Sequence, residues 1–242
     1  MRNLLAVLLV AWSASLSAQS AETRLFEAID DGKAIVAEGI LARSKVNVNA
    51  RNAEGETPLH RAIEKGMREL SQILLRSGAQ ANARSKSGET PLHLAALHSE
   101  PAYAEILLAA GADAKARNEH GESPLHWAAL SGNPLTLQRL LDRGADPNVR
   151  DRNGNLPLHG AADGGHDVVV KMLLPRTGEP RAKNTDGHTP SDIARGRGYT
   201  ELAKVIDGSA ATPATQPKTP AQAQGFGTMD IDDPNHPRFQ KQ

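Results

Sequence analysis

Four of the nine histidines recur at one spacing, and histidine is the side chain most often used for proton transfer and metal binding near neutral pH. They are His60, His93, His126 and His159, each 33 residues after the one before. Imidazoles that recur in this way could form a ladder of metal ligands. Their constant register also suggests that each occupies the same place in a repeated structural unit.

The remaining chemistry in the sequence is sparse. His98, His120 and His188 lie outside that register, and single histidines in separate units are more often solvated than ligands. The chain has no cysteine, which excludes disulfides, cysteine nucleophiles and zinc–thiolate sites. It also lacks the nucleophile-elbow, P-loop, metalloprotease, dinucleotide-binding and EF-hand motifs. We therefore expect no enzymatic activity, no cofactor and no metal site.

The elements that carry the four histidines form a repeat. Each histidine ends a tetrapeptide, TPLH, TPLH, SPLH and LPLH, and a weaker copy, TPSD, begins at Thr189. Pro at the first helical position and Thr or Ser just before it are typical of a helix start. Two glycine series keep the same register, one before the tetrapeptides and one after pairs of leucines: Gly55, Gly88, Gly121, Gly154 and Gly187, then Gly78, Gly111 and Gly144.

These motifs resemble the ankyrin repeat, with its TPLHxAA helix start, 33-residue period and LLxxGAD helix end. The resemblance implies an all-α ankyrin solenoid, in which stacked pairs of short helices share one Leu/Ala core. It also implies that the tetrapeptide residues are structural, with each histidine linking its turn to the next repeat: Thr57, His60, Thr90, His93, Ser123, His126 and His159. Leu156 replaces the capping hydroxyl, so we expect a weaker start to that helix, by about 1 kcal/mol.

The domain organisation follows from the same register. We expect full repeats at 53–85, 86–118, 119–151 and 152–184, a divergent N-terminal cap at 22–52 and a C-terminal half-repeat cap at 185–207. Residues 1–18 combine a positive charge, a short apolar run and small residues, as in a secretory signal peptide. Residues 208–242 are rich in Ala, Pro, Gln and Thr and are predicted to be a disordered tail. The signal peptide favours a periplasmic location.

The overall charge narrows the range of partners. The 28 Lys and Arg balance the 28 Asp and Glu, so the long-range positive field that favours nucleic acid or an anionic membrane is missing. We expect neither nucleic-acid binding nor stable membrane insertion, and a chain that is monomeric by itself. Aromatic residues make up only 3% of the sequence, as suits a core of leucine and alanine.

The resemblance implies that another protein binds the concave surface, formed by the turn tips and the exposed side of the first helices. The partner-binding residues predicted at or beside those positions are Glu54, Glu56, Lys86, Glu89, Leu97, His98, Glu119, His120, Glu122, Trp127, Leu130, Arg152, Asn153 and Asn155. Leu97, Leu130 and Trp127 could form an apolar anchor; alternatively, Trp127 packs between repeats and the leucines are scattered exposed residues. Glu56, Glu89 and Glu122 form an acidic row that is either a stripe for a basic partner or an ordinary solvated surface.

These features favour a non-enzymatic protein-binding module in the bacterial periplasm. Resemblance to exported bacterial ankyrin proteins implies support of catalase and peroxide defence as the most specific role. One alternative is an inhibitor or immunity protein that blocks a secreted toxin or lipase. Another is an envelope tether that uses apolar tail residues, Phe226, Met229, Ile231 and Phe239.

Overall fold

The computed structural model describes residues 20–43 and 45–209, which form helices and turns without strands. The predicted signal peptide and nearly all of the predicted tail lie outside these residues. The described helices are α1 Ala21–Asp30, α2 Ala34–Arg43, α3 Pro58–Glu64, α4 Arg68–Arg76, α5 Pro91–Leu97, α6 Ala102–Ala109, α7 Pro124–Ser131, α8 Pro134–Asp142, α9 Pro157–Asp163, α10 Asp167–Leu173, α11 Pro190–Gly196 and α12 Thr200–Ser209. A 3-10 turn, Leu174–Arg176, follows α10.

The helices alternate between two stacked rows. The odd-numbered helices, which begin the repeats, pack successively against one another from α1 to α11, and the even-numbered helices form a second row behind them. Each unit therefore completes its core only with its neighbours, as expected of a solenoid. The prediction of an all-helical ankyrin solenoid is confirmed. Helix α12 extends two residues into the segment predicted as tail, to Ser209.

The core is built from leucine and alanine at equivalent repeat positions. Leu59, Leu92, Leu125 and Leu158 are fully buried in the odd-numbered helices. The alanines one turn later are also fully buried, and their small side chains allow close approach of adjacent helices: Ala62, Ala95, Ala128 and Ala161. Burial of each leucine contributes about 1.5–3 kcal/mol. Leucine and alanine thus fill the space that aromatic side chains occupy in most domains.

Glycines are required where successive turn tips meet. Gly88 has a φ of +77°, and a Cβ there would lie 3.0 Å from the backbone nitrogen of Glu119. That nitrogen donates a hydrogen bond to the carbonyl of Ser87 at 2.8 Å. Glycine adopts this left-handed conformation without strain and, having no Cβ, admits the next tip so closely. The tips are therefore held in register by backbone contacts.

Candidate functional site

The periodic histidines form bonds between repeats, and the geometry determines their tautomer. Nδ1 of His60 lies 3.1 Å from the backbone N–H of Thr57, and Nε2 lies 3.2 Å from the carbonyl of Glu89 in the next repeat. A backbone N–H can only donate, so Nδ1 must accept. The hydrogen therefore resides on Nε2, which donates to the carbonyl. One neutral imidazole thus joins a helix start to the following turn tip.

The same arrangement recurs at His93 and His126. Nε2 of His93 lies 3.1 Å from the carbonyl of Glu122, and Nε2 of His126 lies 3.1 Å from that of Asn155. Burial disfavours the charged rings and lowers the pKa of His93 to about 4, and that of His126 in the same direction. Both nitrogens of each ring are engaged in the fold. No group of three or more His, Cys, Asp or Glu side chains among residues 20–43 and 45–209 is placed to hold a metal ion.

The fourth histidine departs from this pattern. The backbone N–H of Leu156 donates to Nδ1 of His159 at 3.0 Å, and α9 begins at the equivalent proline although Leu156 has no hydroxyl. Nε2 of His159, however, is buried without a hydrogen-bond partner in the described part of the chain. Burial lowers the pKa of His159; the carbonyl of His188 opposes this shift but lies outside hydrogen-bonding geometry. The link to the C-terminal cap therefore lacks the bond found between the earlier repeats.

The acidic row on the tips is held in place by neighbouring amides. The Asn52 side chain donates to Glu56 at 2.9 Å, and that of Asn118 donates to Glu122 at 2.8 Å. Burial alone would raise the pKa of Glu122, but hydrogen bonds from Asn118 and Trp127 outweigh it and hold that pKa below its usual value. Four residues before Glu89 stands Ser85 instead of an asparagine, and no described side chain forms a hydrogen bond or ion pair with the Glu89 carboxylate. The row is thus two oriented carboxylates around one that is free to bind.

A series of arginines bonded to the backbone of the turns was not predicted from the sequence. Arg51, Arg117 and Arg150 each donate to the carbonyl of the glycine in their own turn, at 2.6, 2.9 and 3.1 Å. Each guanidinium also contacts a carbonyl one repeat further on. Their 33-residue spacing, shared with Arg84, was the available signal. These cations support the turn backbone behind the tips, and the carboxylates line the cavities in front.

Apolar side chains lie beside the acidic row. Leu97 and Leu130, at the ends of α5 and α7, are 49% and 50% exposed. Trp127 is half-buried: its ring stands edge-on to His93, with ring centroids 5.5 Å apart, and its Nε1 donates to Glu122 at 2.9 Å. The tryptophan is thus both packed against the fold and partly open to solvent. Its orientation is determined before any partner arrives.

Two concavities meet at Trp127 on the face formed by the turn tips and the odd-numbered helices, which we call the inner face. The first, an open groove of about 570 Å³ over the N-terminal repeats, has an apolar wall that includes Leu97 and Trp127. Arg61 is the one cation among its lining residues and pairs with Asp30 at 2.8 Å. The carboxylates that line this groove are Asp30, Glu54, Glu56, Glu64 and Glu89.

The second concavity, of about 300 Å³, lies between α7, α9 and α11, and we call it the notch. Its apolar lining is formed by Trp127, Leu130, Leu156, Gly160 and Ile193. The carboxylates of Glu122, Asp151 and Asp163 stand among the residues around it. The groove and the notch share Trp127, so apolar surface continues from one to the other.

The predicted partner-binding residues divide into two groups. Eight line one of the two concavities: Glu54, Glu56, Glu89, Leu97, Glu122, Trp127, Leu130 and Asn155. The others mainly join neighbouring tips or pack locally. Backbone hydrogen bonds join each tip to the one before it: the N–H of Lys86 donates to the carbonyl of Glu54, that of Glu119 to Ser87, and that of Arg152 to His120. The carbonyl of Asn153 accepts the corresponding bond from the next tip. The ring of His98 stacks on Tyr103 at a centroid distance of 4.5 Å.

None of the described helices is long and apolar enough to cross a membrane.

Comparisons with known proteins agree with this architecture. A comparison with the curated proteins finds no match. The family described as "Ankyrin repeats (3 copies)" matches residues 25–118, 64–151 and 125–211, which together cover all but the first four residues of the helical array. The chain therefore belongs to the ankyrin repeat family.

Proposed function

We propose that this protein binds another protein through its inner face and performs no chemistry itself. Ankyrin repeats generally mediate protein–protein interaction and form a non-enzymatic module. The imidazoles that could have served in catalysis are buried and engaged in bonds between repeats. What the inner face offers instead is apolar surface and oriented charge, which are the means of recognition.

One observation carries the proposal: apolar side chains on adjacent repeats remain open beside a fixed tryptophan. Leu97 and Leu130 are each about half exposed, and Trp127 lies between the groove and the notch. Tryptophan is enriched at the centres of protein interfaces, where a few buried apolar anchors supply most of the binding energy. Carboxylates around them would add orientation and a faster association with a basic partner.

A matched pair of substitutions tests this placement. Leu130→Asp puts a charge beside Trp127 on the inner face, and Leu135→Asp puts the same charge on α8, at a side chain that is 61% exposed. The wild type should capture one or more proteins from the native extract. We expect Leu135→Asp to capture the same proteins in similar amounts, and Leu130→Asp to capture at least tenfold less of them. Quantitative mass spectrometry of the captured proteins measures this, with circular dichroism as the check of folding. Equal capture by both variants would contradict the proposal.

Charge reversal tests the acidic part of the surface. Glu89→Lys is the cleanest single change because its carboxylate has no hydrogen bond or ion pair in the described residues. The triple reversal of Glu56, Glu89 and Glu122 adds the two oriented carboxylates. We expect slower association for the single variant and loss of capture for the triple variant. Capture that is insensitive to both variants and to salt would show that the partner is not recognised through this charge.

We also propose that the protein works in the bacterial periplasm. The support is the sequence pattern of residues 1–18, with Arg2 ahead of an apolar run and small residues after it. Fractionation of cells that express the full chain, compared with a chain lacking those residues, tests the location. Catalase, implied by the resemblance to exported ankyrin proteins, is the first partner to assay with the Leu130→Asp variant.

A further inference from the structure

The notch exists because one repeat lacks a side chain that its neighbours have. The residue after the periodic histidine is Arg61, Leu94, Trp127 and Gly160 in successive units, and Ile193, after Asp192, holds the same position in the C-terminal cap. A Cβ built on Gly160 would meet its nearest neighbour, the backbone and Cβ of Leu130, at 3.6 Å, an ordinary contact. Packing therefore does not require glycine here, and Gly160 has no left-handed backbone to explain it. Its effect is an opening one side chain deep between Trp127 and Ile193.

The apolar part of the lining is already in place, next to the polar side chains of His126, Asn155, His159 and Asn184. Trp127 is held by the bond from its Nε1 to Glu122, and Leu156 beneath is only 2% exposed. A space of about 300 Å³ is at the lower end of the range for binding pockets. It suits one protruding side chain, aliphatic or aromatic, whose burial here would need little rearrangement. Walls that need no ordering reduce the entropic cost of binding.

The rim of the opening is negative. Asp163 is neutralised by Arg197, whose Nε lies 2.7 Å away. Glu122 and Asp151 are hydrogen-bonded to amide and indole groups and form no ion pair within the described residues. Two carboxylates on the rim of the notch therefore have no ion-pair partner among the described residues. A positive charge next to the incoming apolar side chain would complement them, and an acidic neighbour would be repelled.

We propose that the notch binds an extended segment of a partner protein in which an aliphatic or aromatic residue is flanked, within two positions, by arginine or lysine. The apolar residue enters beside Gly160 and packs on Trp127, while the cation pairs with Glu122 or Asp151. This proposal rests on the proposed function and identifies the chemistry of the segment that the inner face recognises.

The test uses displayed random twelve-residue peptides as the probe, panned against the full-length protein. Gly160→Leu fills the opening with a side chain that the second full repeat already accommodates at the same position, as Leu94. Gly39→Leu is the matched control, since Gly39 also lies in a helix and a Cβ added there would have no neighbour within 4 Å. We expect enriched peptides to carry an apolar residue flanked by Arg or Lys, to bind Gly39→Leu as they bind the wild type, and to bind Gly160→Leu at least tenfold more weakly.

Several outcomes would overturn the notch while leaving the proposed function intact. Peptides that bind Gly160→Leu unchanged but lose binding to Leu97→Asp would place recognition in the groove. Enrichment of acidic peptides would exclude the proposed segment. So would a selection in which no peptide is enriched on the wild type relative to a parallel selection on Gly160→Leu. A tenfold gain in peptide binding on deletion of 210–242 would assign the notch to the chain's own tail, and a change of oligomeric state in Gly160→Leu would assign it to a second copy. The proposed function is tested by a separate measurement: it fails if the Leu130→Asp variant captures the native partner as well as the wild type does.

Discussion

At the residue scale, the buried histidines act as neutral connectors and their protonation would break the connection. Nδ1 of His93 accepts the backbone N–H of Thr90 at 3.2 Å, while Nε2 donates to the carbonyl of Glu122. A proton added to Nδ1 would face a donor and remove one of the two bonds. The same logic applies to His60 and His126, whose pKa values burial also lowers.

This predicts loss of stability in mild acid. The pKa of His93 falls from its ordinary 6.5 to about 4 on folding, so the unfolded chain takes up the proton first as the pH decreases. Its contribution is fully present above about pH 6.5 and is lost progressively down to about pH 4, by ~3 kcal/mol at most. Urea unfolding at intervals between pH 7 and pH 5 measures the slope, in a range where carboxylates stay mostly ionised.

The control is His93→Gln, which keeps a polar side chain that does not titrate. It should be less stable than the wild type at pH 7 because hydrogen bonds are lost, by about 1–3 kcal/mol. Its free energy of unfolding should nevertheless change less between pH 6.5 and pH 5. Equal slopes for the two proteins would contradict the role assigned to the imidazole.

The sequence predicted residue-scale features unevenly. The 33-residue repeat predicted that the periodic histidines are structural and that Leu97 and Leu130 are exposed, because equivalent positions in successive repeats have equivalent environments. The amides that orient Glu56 and Glu122 were not predicted, since an asparagine four residues earlier gives no sign of which way its side chain turns. The notch was missed for a further reason: it depends on the absence of a side chain at Gly160 between bulky ones on neighbouring helices.

At the element scale, Leu156 shows how packing can replace a lost cap. Its predicted consequence was a helix start weaker by about 1 kcal/mol, because leucine has no hydroxyl. Yet α9 begins at the equivalent proline, the backbone N–H still bonds to His159, and the leucine side chain is 2% exposed. The position has exchanged a polar contact for apolar burial.

We therefore predict that restoring the threonine would destabilise the protein. Leu156→Thr regains a hydroxyl-to-imidazole bond of about 1 kcal/mol but loses apolar burial and opens space beneath the notch, at a cost of about 2–3 kcal/mol. The free energy of unfolding in urea should fall by about 1–2 kcal/mol, from the difference of those two terms. A gain in stability would show instead that the missing hydroxyl dominates. Leu156→Met, which preserves volume, should stay close to the wild type.

Helix starts were more predictable than helix ends, for a physical reason. Proline at the first position fixes a start in every repeat, so α3, α5, α7, α9 and α11 all begin at the predicted residue. Ends depend on what terminates the helix. Gly132 closes α7 in a left-handed conformation, whereas α5 ends at Leu97 without a glycine and α10 runs into a 3-10 turn that contains Pro175.

At the scale of the whole molecule, neutrality conceals a separation of charge. Twenty-eight positive and 28 negative side chains cancel in sum, yet the groove carries five carboxylates and one guanidinium among its lining residues. The arginine series behind the tips engages backbone carbonyls, where its charge supports the turns. Net charge shows only that there is no long-range positive field, and it could not reveal the negative inner face.

At the same scale, substantial helix–helix contacts among residues 20–43 and 45–209 join only one repeat or adjacent repeats, which makes stability local. Every pair of described helices in substantial contact belongs to one repeat or to adjacent ones. In such an array, damage at one end should open that end without unfolding the rest. The C-terminal cap is the place to test this, because the bond from His159 to the next tip is missing there.

Ile206→Ala removes a fully buried side chain from α12 and leaves a cavity that should cost about 2–4 kcal/mol. We expect amide hydrogen exchange to accelerate at least about 30-fold in α11 and α12, since each 1.36 kcal/mol is a factor of ten, with little change in α3 and α4. The matched variant Leu107→Ala, in the fully buried interior of α6, should accelerate exchange in repeats on both sides of it. Uniform acceleration throughout the chain in Ile206→Ala would show that the array unfolds as one unit. Exchange confined to the cap would show that the groove keeps its structure when the C-terminal end, which supplies the Ile193 wall of the notch, opens.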